Sequence, residues 1–325
     1  MIQYSTCEDN SAWNEFLEKE KDNQMITIAH NPSLTPILSK TFGYESQNKL
    51  MTKDEKIVGV MPTVIFRDRV VSIPHFSYGG PIIDSNEKID IDLNSILDGK
   101  KFEIRSFSKL SDYVYDKKIS CVLNVHESVD AQMMSLKSKL RQKIRKAEKL
   151  GYTTKIGGLE LLNDFYGGYS RRMLEFGSPP IGKVFFKNLL TDYEFGDVQI
   201  AILYDGDKVI ATSMALSYLN FSEVCWSSTD NDYNRFNIHA LICWEMLKSS
   251  IEKKHKYYSF GRSTIDSNNH RFKKQWNPLE LPIYYNYSEP VGKSIKELSF
   301  LTKIWKLQPL KTSVYFGHLI SKYVY

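Results

Sequence analysis

The chain has 325 residues, with 42% hydrophobic, 25% charged and 13% aromatic residues and a formal net charge of +5. That balance describes ordinary globular protein, excludes a disordered chain, and is long enough for two domains. The positive charge is mild: it suits an anionic partner without requiring one.

The N-terminus, Met1-Ile2-Gln3-Tyr4-Ser5-Thr6-Cys7, has neither a basic start nor a long apolar core, so no secretory signal is expected. No apolar run approaches the roughly 20 residues of a spanning helix. The expected location is cytoplasmic. Ser11 to Lys19 is predicted as a helix with Trp13, Phe16 and Leu17 on one face. Thr35 to Phe42 is predicted as a second helix, stopped by Gly43. Strands follow to Pro74, and Tyr78-Gly79-Gly80-Pro81 comes next. Paired glycines there serve either a turn or a close backbone approach to a ligand. Phe102 to Arg105 is read as a strand, and Tyr113 to Val125 closes the first half.

Residues 128–150 are predicted as one long basic helix. Leu136, Leu140, Ile144 and Ala147 form its apolar stripe, and Lys137, Arg141, Arg145 and Lys149 form a continuous cationic row. Such a row is either a solvated face or a rail for phosphates. Glu148 is nearly alone against it, whereas a helix built for solubility interleaves acids for i,i+4 pairs. Phe165 to Phe176 is a further helix, ended by Gly177 and Pro179-Pro180. A strand at Glu223 to Ser227 precedes a helix from Ile238 to Glu252.

Two segments repeat. Lys56, Ile57, Val58 and Gly59 pair with Lys208, Val209, Ile210 and Ala211, each set preceded by an apolar strand and an acidic turn. That pattern is a β-hairpin signal, and the two copies mark either two related halves or a chance likeness between ordinary hairpins. The four cysteines, Cys7, Cys121, Cys225 and Cys243, show no metal or redox spacing.

The densest chemistry lies from Tyr257 to Trp276. A buried strand is expected to stop at Gly261 and to present Arg262 and Ser263 at its carboxyl end, where open α/β sheets gather ligands. Phe272, Lys273, Lys274 and Trp276 add cations and aromatic rings, and Trp276 serves either as a stacking platform or as core. Asn237 is a candidate cap for the following helix. The run Asn231 to Ala240 has no glycine, and Asp230 and Asp232 sit nearby, which argues against a pyrophosphate cradle there. Glu245, Asp266, His239 and His270 are the candidate bases, though a lone titratable residue is more often structural. In the tail, Val314, Tyr315, Phe316, Leu319, Ile320, Tyr323 and Val324 form an apolar face near Lys311, His318 and Lys322. Such a helix packs on its own domain or lies on a membrane surface.

Phe260-Gly261-Arg262-Ser263 with Phe272-Lys273 and Gln275-Trp276 resembles the FemAB-related proteins, relatives of the enzymes that build peptidoglycan cross-bridges, and most resembles their exopolysaccharide-associated branch. Tyr78-Gly79-Gly80-Pro81, Arg141 to Lys149 with Gly151, and Asn237 with Leu241 and Trp244 match it in the same order. The resemblance implies an α/β fold of two GNAT-like halves around a shared crevice. The expected division is residues 1–127, residues 128–290 with the basic helix at its entrance, and a helical tail from 291 to 325. It implies transfer of an activated acyl group to an amine of an envelope precursor, an amino sugar or a peptide. No cofactor is expected to be tightly bound. The co-substrate would be aminoacyl-tRNA, favoured, or acyl-CoA. Substrate binding would fall to Arg262, Ser263, Lys273, Trp276, Tyr78, Gly79, Gly80 and Asn237, and phosphate or tRNA binding to Lys137, Arg141, Arg145 and Lys149. A lipid-linked acceptor would place the protein at the inner face of the membrane. A non-catalytic RNA- or phosphate-binding module is the alternative from another class.

Overall fold

The computed structural model describes residues 2–7, 9–290 and 299–323. The first repeat is a hairpin of β3 (Lys49–Lys53) and β4 (Lys56–Met61), flanked by β1 (Gln3–Thr6) and β7 (Ile82–Ile83) in a small sheet of order β1-β3-β4-β7. The second repeat is the hairpin of β11 (Gly196–Asp205) and β12 (Lys208–Tyr218). The two copies agree in register. Met51 faces Gly59 as Leu203 faces Ala211, and the register slips one residue later in both. A repeat visible in eight residues is thus a repeat of strand pairing.

The second hairpin belongs to a sheet of eleven strands. Its other members are β2 (Glu45–Ser46), β5 (Thr63–Phe66), β6 (Arg69–Ser72), β8 (Phe102–Ser106), β9 (Tyr113–Asn124), β10 (Thr153–Gly157), β13 (Phe221–Thr229), β14 (Tyr257–Thr264) and β15 (Leu279–Tyr287). The order is β10-β11-β12-β13-β14-β9-β15-β8-β6-β5-β2. β9, which precedes residue 127, lies between β14 and β15 from the second part of the chain. The halves are therefore joined by shared strands, with no linker needed to hold them together.

Alternation along β11 shows how the sheet is covered. Ile200, Ile202 and Tyr204 face one core, with Trp13, Phe165 and Phe186, while Ala201 and Leu203 face another, with Ile144, Leu241 and Trp244. Both faces of the strand are buried, as expected of a sheet with helices on either side. The first core carries α1 (Asn10–Glu20), α2 (Leu34–Phe42), α6 (Leu162–Phe176) and α7 (Lys183–Asp192). Asp9 caps α1 by accepting from two backbone amides. α2 and α6 stop at Gly43 and Gly177, each in the left-handed conformation that glycine adopts cheaply. A third core, under the small sheet, includes Met51, Val70 and Phe102 and two residues of α3 (Leu93–Ile96).

The long helix expected over 128–150 is two helices, α4 (Val129–Ser135) and α5 (Ser138–Glu148). Leu136 and Lys137 are extended between them, with ψ of 152° and 140°. The Arg141 guanidinium turns back to donate to the carbonyls of Met134 and Leu136, at 3.1 and 2.5 Å, and so satisfies acceptors that the break exposes. The apolar stripe Leu136, Leu140, Ile144 and Ala147 is buried as predicted, against α8 (Ile238–Glu252).

Of the predicted tail, residues 299–323 are described, as α10 (Ser299–Lys306) and α11 (Leu310–Ile320); Val324 lies outside the described residues. α11 docks by its smallest residues. Ser313 and Gly317 are buried, while Tyr315, Phe316 and Leu319 of the predicted apolar face are exposed. A Cβ on Gly317 would stand 2.5 Å from the Pro180 carbonyl oxygen. Gly317→Ala is therefore predicted to destabilise the fold by about 1–3 kcal/mol through forced overpacking, read as a lower urea midpoint at unchanged slope.

Candidate functional site

β13 and β14 are parallel neighbours, but they pair only over Phe221–Glu223 and Tyr257–Ser259. Beyond Glu223 and Ser259 they separate, and a crevice of about 920 Å³ opens between them. Val224 to Thr229 form one wall, Phe260, Gly261 and Arg262 the other, and Asn237, His239, Ala240 and Cys243 of the α8 region the back. Two irregularities shape the walls. β13 carries an extra residue at Cys225 relative to β12. β14 carries one at Phe260–Gly261 relative to β9, with Gly261 at φ +67°. Bulges of this kind re-aim side chains and strengthen local twist. The strand predicted to stop at Gly261 instead passes through that bulge and continues to Thr264.

Glu223 stands where the strands part. It is 1% exposed. Ser77 donates to its Oε1 at 2.8 Å, and Tyr78 and Ser259 donate to its Oε2 at 2.5 and 2.9 Å. Burial and the neighbouring Glu223 charge push the Tyr78 hydroxyl well above its ordinary pKa, so it remains a donor. The Ser77 hydroxyl also accepts from the Arg262 amide at 3.3 Å. One buried carboxyl group thus ties the loop after β6 to both β13 and β14. Sequence reading used Glu223 only to mark the start of a strand. The signal was present all the same: an acidic residue inside an apolar strand needs buried partners.

The lining is basic. Lys143, Arg172, Arg262 and Lys273 contribute to it, with Asn234, Asn237, Asn268 and Asn269, and among the described residues no aspartate or glutamate does. Lys273, from α9 (Asn268–Lys273), is buried and donates to the carbonyls of Gly261 and Arg262 at 2.9 and 3.0 Å. Burial lowers its pKa to about 8. Arg262 donates to the Phe76 carbonyl at 3.1 Å and the Tyr285 hydroxyl at 3.0 Å. These hydrogen-bond partners are neutral oxygens, while the charges of Glu223 and Glu103 act on Lys273 and Arg262 respectively. Arg172 differs, because Glu175 at 2.6 Å offsets it.

Several predicted site residues lie elsewhere. Trp276 is 1% exposed and packs in the core behind Phe260. Ser263 is buried and points away from the crevice lining. Gly79 and Gly80 are not part of that lining. A Cβ on Gly80 would stand 2.4 Å from the Ser106 Cβ, so close strand packing accounts for that glycine. Asn237 does line the crevice, but in the left-handed conformation at the N-cap of α8, where its side chain caps nothing. Of the cationic row, Lys137, Arg141, Arg145 and Lys149 are absent from the lining, and Lys143, on another face of the helix midway between Arg141 and Arg145, lines it from α5 and donates to Gln275 at 2.7 Å.

Among the candidate bases, Glu245 is paired with Lys248 at 2.7 Å, and His270 is buried against Glu280 at 2.8 Å. Asp266 sits exposed on a turn. Only His239 reaches the crevice, stacked on Phe272 at 4.2 Å between centroids. Burial first, then the nearby Lys273 charge, lowers its pKa to about 4. The crevice thiols are not nucleophiles at neutral pH: burial raises Cys243 to about 12, and burial with the Glu223 charge raises Cys225 well above its ordinary value. Among the described residues, no cluster of three or more histidine, cysteine or acidic side chains is placed to hold a metal.

Comparison with known proteins bears on the fold. Residues 134–274 match the family model of the acetyltransferase (GNAT) domain. No curated protein matches the sequence. Among solved structures, FemX is similar at a TM-score of 0.64 and 13% identity, over 88% of this chain and 97% of that one. A tandem GNAT protein from the clavulanic acid biosynthesis pathway is similar at 0.55 and 6%, over 90% and 100%. The C-terminal domain of a lysylphosphatidylglycerol synthetase from Agrobacterium fabrum is similar at 0.52 and 10%, over 96% and 97%. The fold is the tandem GNAT fold that the FemAB resemblance implied.

One buried and two half-buried histidines set an acid limit. His30, His239 and His255 are each lowered by burial from 6.5 to about 4. Between those values the unfolded chain binds more protons than the folded one, so stability rises with pH from 4 to 6.5. His239→Phe is expected to flatten part of that rise, measured as urea midpoints at pH 4.5 and 7.

Proposed function

We propose that this chain, a protein of tandem GNAT fold, transfers an activated acyl group to an amine of a cell-envelope precursor. The favoured donor is aminoacyl-tRNA, and the favoured acceptor is an amino sugar or peptide in polysaccharide or peptidoglycan synthesis. The observation that carries this reading is the crevice between β13 and β14, with cationic side chains and, among the described residues, no carboxylate in its lining. A long anionic donor fits that charge, and two parted strands leave room for an extended acyl arm.

The reaction asks little covalent chemistry of the protein. The donor ester is already activated, and the acceptor amine is the nucleophile. The site must hold the two together and favour the oxyanion that develops on the carbonyl. Arg262 and Lys273 are assigned to the anionic groups of the substrates, with Asn237, Asn268 and Asn269 as neutral hydrogen-bonding partners. The preference for tRNA over acyl-CoA rests on the entrance to α8. A pyrophosphate cradle needs glycine for close backbone approach. Here Asn231–Phe236 forms a 3-10 turn without glycine, and Asp230 is engaged by Lys208 at 2.9 Å.

The tail supports a place at the membrane. Residues 299–323 contain Lys303, Lys306, Lys311 and Lys322 and no acidic residue. Ile304, Leu307, Tyr315, Phe316, Leu319 and Tyr323 are all exposed, Leu307 at 86%. An apolar surface framed by lysines fits an anionic lipid face, where each lysine contributes about 1 kcal/mol. No helix among the described residues is long and apolar enough to cross a membrane.

Two measurements test this reading. Purified protein is incubated with an extract of envelope precursors and either mixed aminoacyl-tRNA or acetyl-CoA, and products are followed by mass. An amino-acid adduct from the tRNA arm is expected, reduced about 10²-fold by Arg262→Ala or Lys273→Ala. An acetyl adduct alone would overturn the donor, and no adduct in either arm would overturn the enzyme. In the second, the protein is expected to sediment with phosphatidylglycerol vesicles and not with phosphatidylcholine, and Leu307→Glu with Phe316→Glu to abolish it. Equal recovery with both vesicles, or with neither, would refute the membrane placement.

A further inference from the structure

Behind the crevice wall stands a titratable group that substrate positioning does not use. Glu223 is buried at the point where β13 and β14 part, and Ser77, whose hydroxyl donates to it at 2.8 Å, lines the crevice itself. Attack by an amine must release a proton, and a hydroxyl backed by a carboxylate can accept and pass it on. His239, the one predicted base that reaches the crevice, is held neutral but weakly basic by burial.

We propose that Ser77 and Glu223 form the proton relay of the transfer, with Ser77 in contact with the acceptor amine and Glu223 holding the proton. This rests on the acyl-transfer reading above. The amine nitrogen attacks the acyl carbonyl carbon and forms the new C–N bond. As the tetrahedral centre collapses, the ester C–O bond breaks. The amine proton passes to the Ser77 oxygen while the proton of Ser77 passes to Glu223. The carboxylic acid so formed returns it, through Ser77, to the departing ribose oxygen. The relay ends as it began, and no co-reactant is needed beyond donor and acceptor.

The surroundings suit the task. Tyr78 and Ser259 donate to the other carboxyl oxygen and hold it in place. The Arg262 amide donates to Ser77 at 3.3 Å and fixes its oxygen at the crevice wall. The titratable groups whose charges act on Glu223 are Tyr78, Tyr193, Cys225 and Lys273. Burial keeps the first three protonated at neutral pH, so of these four only Lys273 places a positive charge near Glu223.

The test is the pH profile of kcat/KM for wild type, Ser77→Ala and Glu223→Gln in the transfer assay. Ser77→Ala removes the contact with the amine but also the donor to Glu223 Oε1 and the acceptor of the Arg262 amide, so the urea midpoint of each variant is measured alongside its kinetics. Each variant is expected to lower kcat by about 10²-fold or more, with KM within about twofold. The fall of the wild-type rate at acid pH is expected to vanish in Glu223→Gln, and the double variant to be no worse than either single one. A purely structural hub would lower stability without altering the profile. Wild-type kcat in Ser77→Ala, or an acid limb kept in Glu223→Gln, would overturn the relay while leaving the acyl-transfer reading standing. Absence of turnover in the wild type would overturn both.

Discussion

Everything in the site follows from the parting of two parallel strands. A parallel ladder normally continues as far as both strands do, because each unpaired amide and carbonyl costs free energy when buried. Here the ladder between β13 and β14 ends at Glu223 and Ser259, although both strands run on for several residues. The parting is fixed by side chains. Glu223 gathers Ser259 from one strand and Ser77 and Tyr78 from the preceding half of the chain, which wedges a loop of the first half against the mouth of the second. A buried carboxyl group is expensive unless its acceptors are filled; three hydroxyls fill them, and the arrangement holds only when both halves are in place.

That constraint explains the electrostatics. Where the strands part, the carbonyls of Gly261 and Arg262 anchor the Lys273 ammonium beside the crevice. A lysine lowered to about 8 by burial is destabilising in the empty protein. Such a group is retained where an incoming anion recovers its charge. Arg262, bound to a carbonyl and a phenol, belongs to the same economy of charge.

The sequence made the framework legible where the pattern was local. The repeated hairpin, the stops at Gly43 and Gly177, the helix from Ile238 to Glu252 and the buried stripe of α5 are set by neighbours along the chain, and they stand where periodicity and turn chemistry put them. The site was legible in part. Arg262, Lys273, Asn237 and His239 reach the crevice. Trp276 and Ser263 are drawn away from it because strand alternation and core packing, invisible in spacing alone, turn them inward. The helix 128–150 broke at Leu136-Lys137, where nothing resembling glycine or proline warned of it, and Arg141 was spent on the break. Ser77 and Glu223 lie far apart in sequence, and only the interleaving of β9 between β14 and β15 makes their meeting intelligible.

The account makes one central claim, that this crevice moves an acyl group onto an envelope precursor. The direct measurement is mass spectrometry of surface glycan and peptidoglycan fragments from cells with and without the gene. The account predicts that one sugar or peptide fragment loses the mass of an amino acid when the gene is absent. Identical fragments in both cells would contradict it.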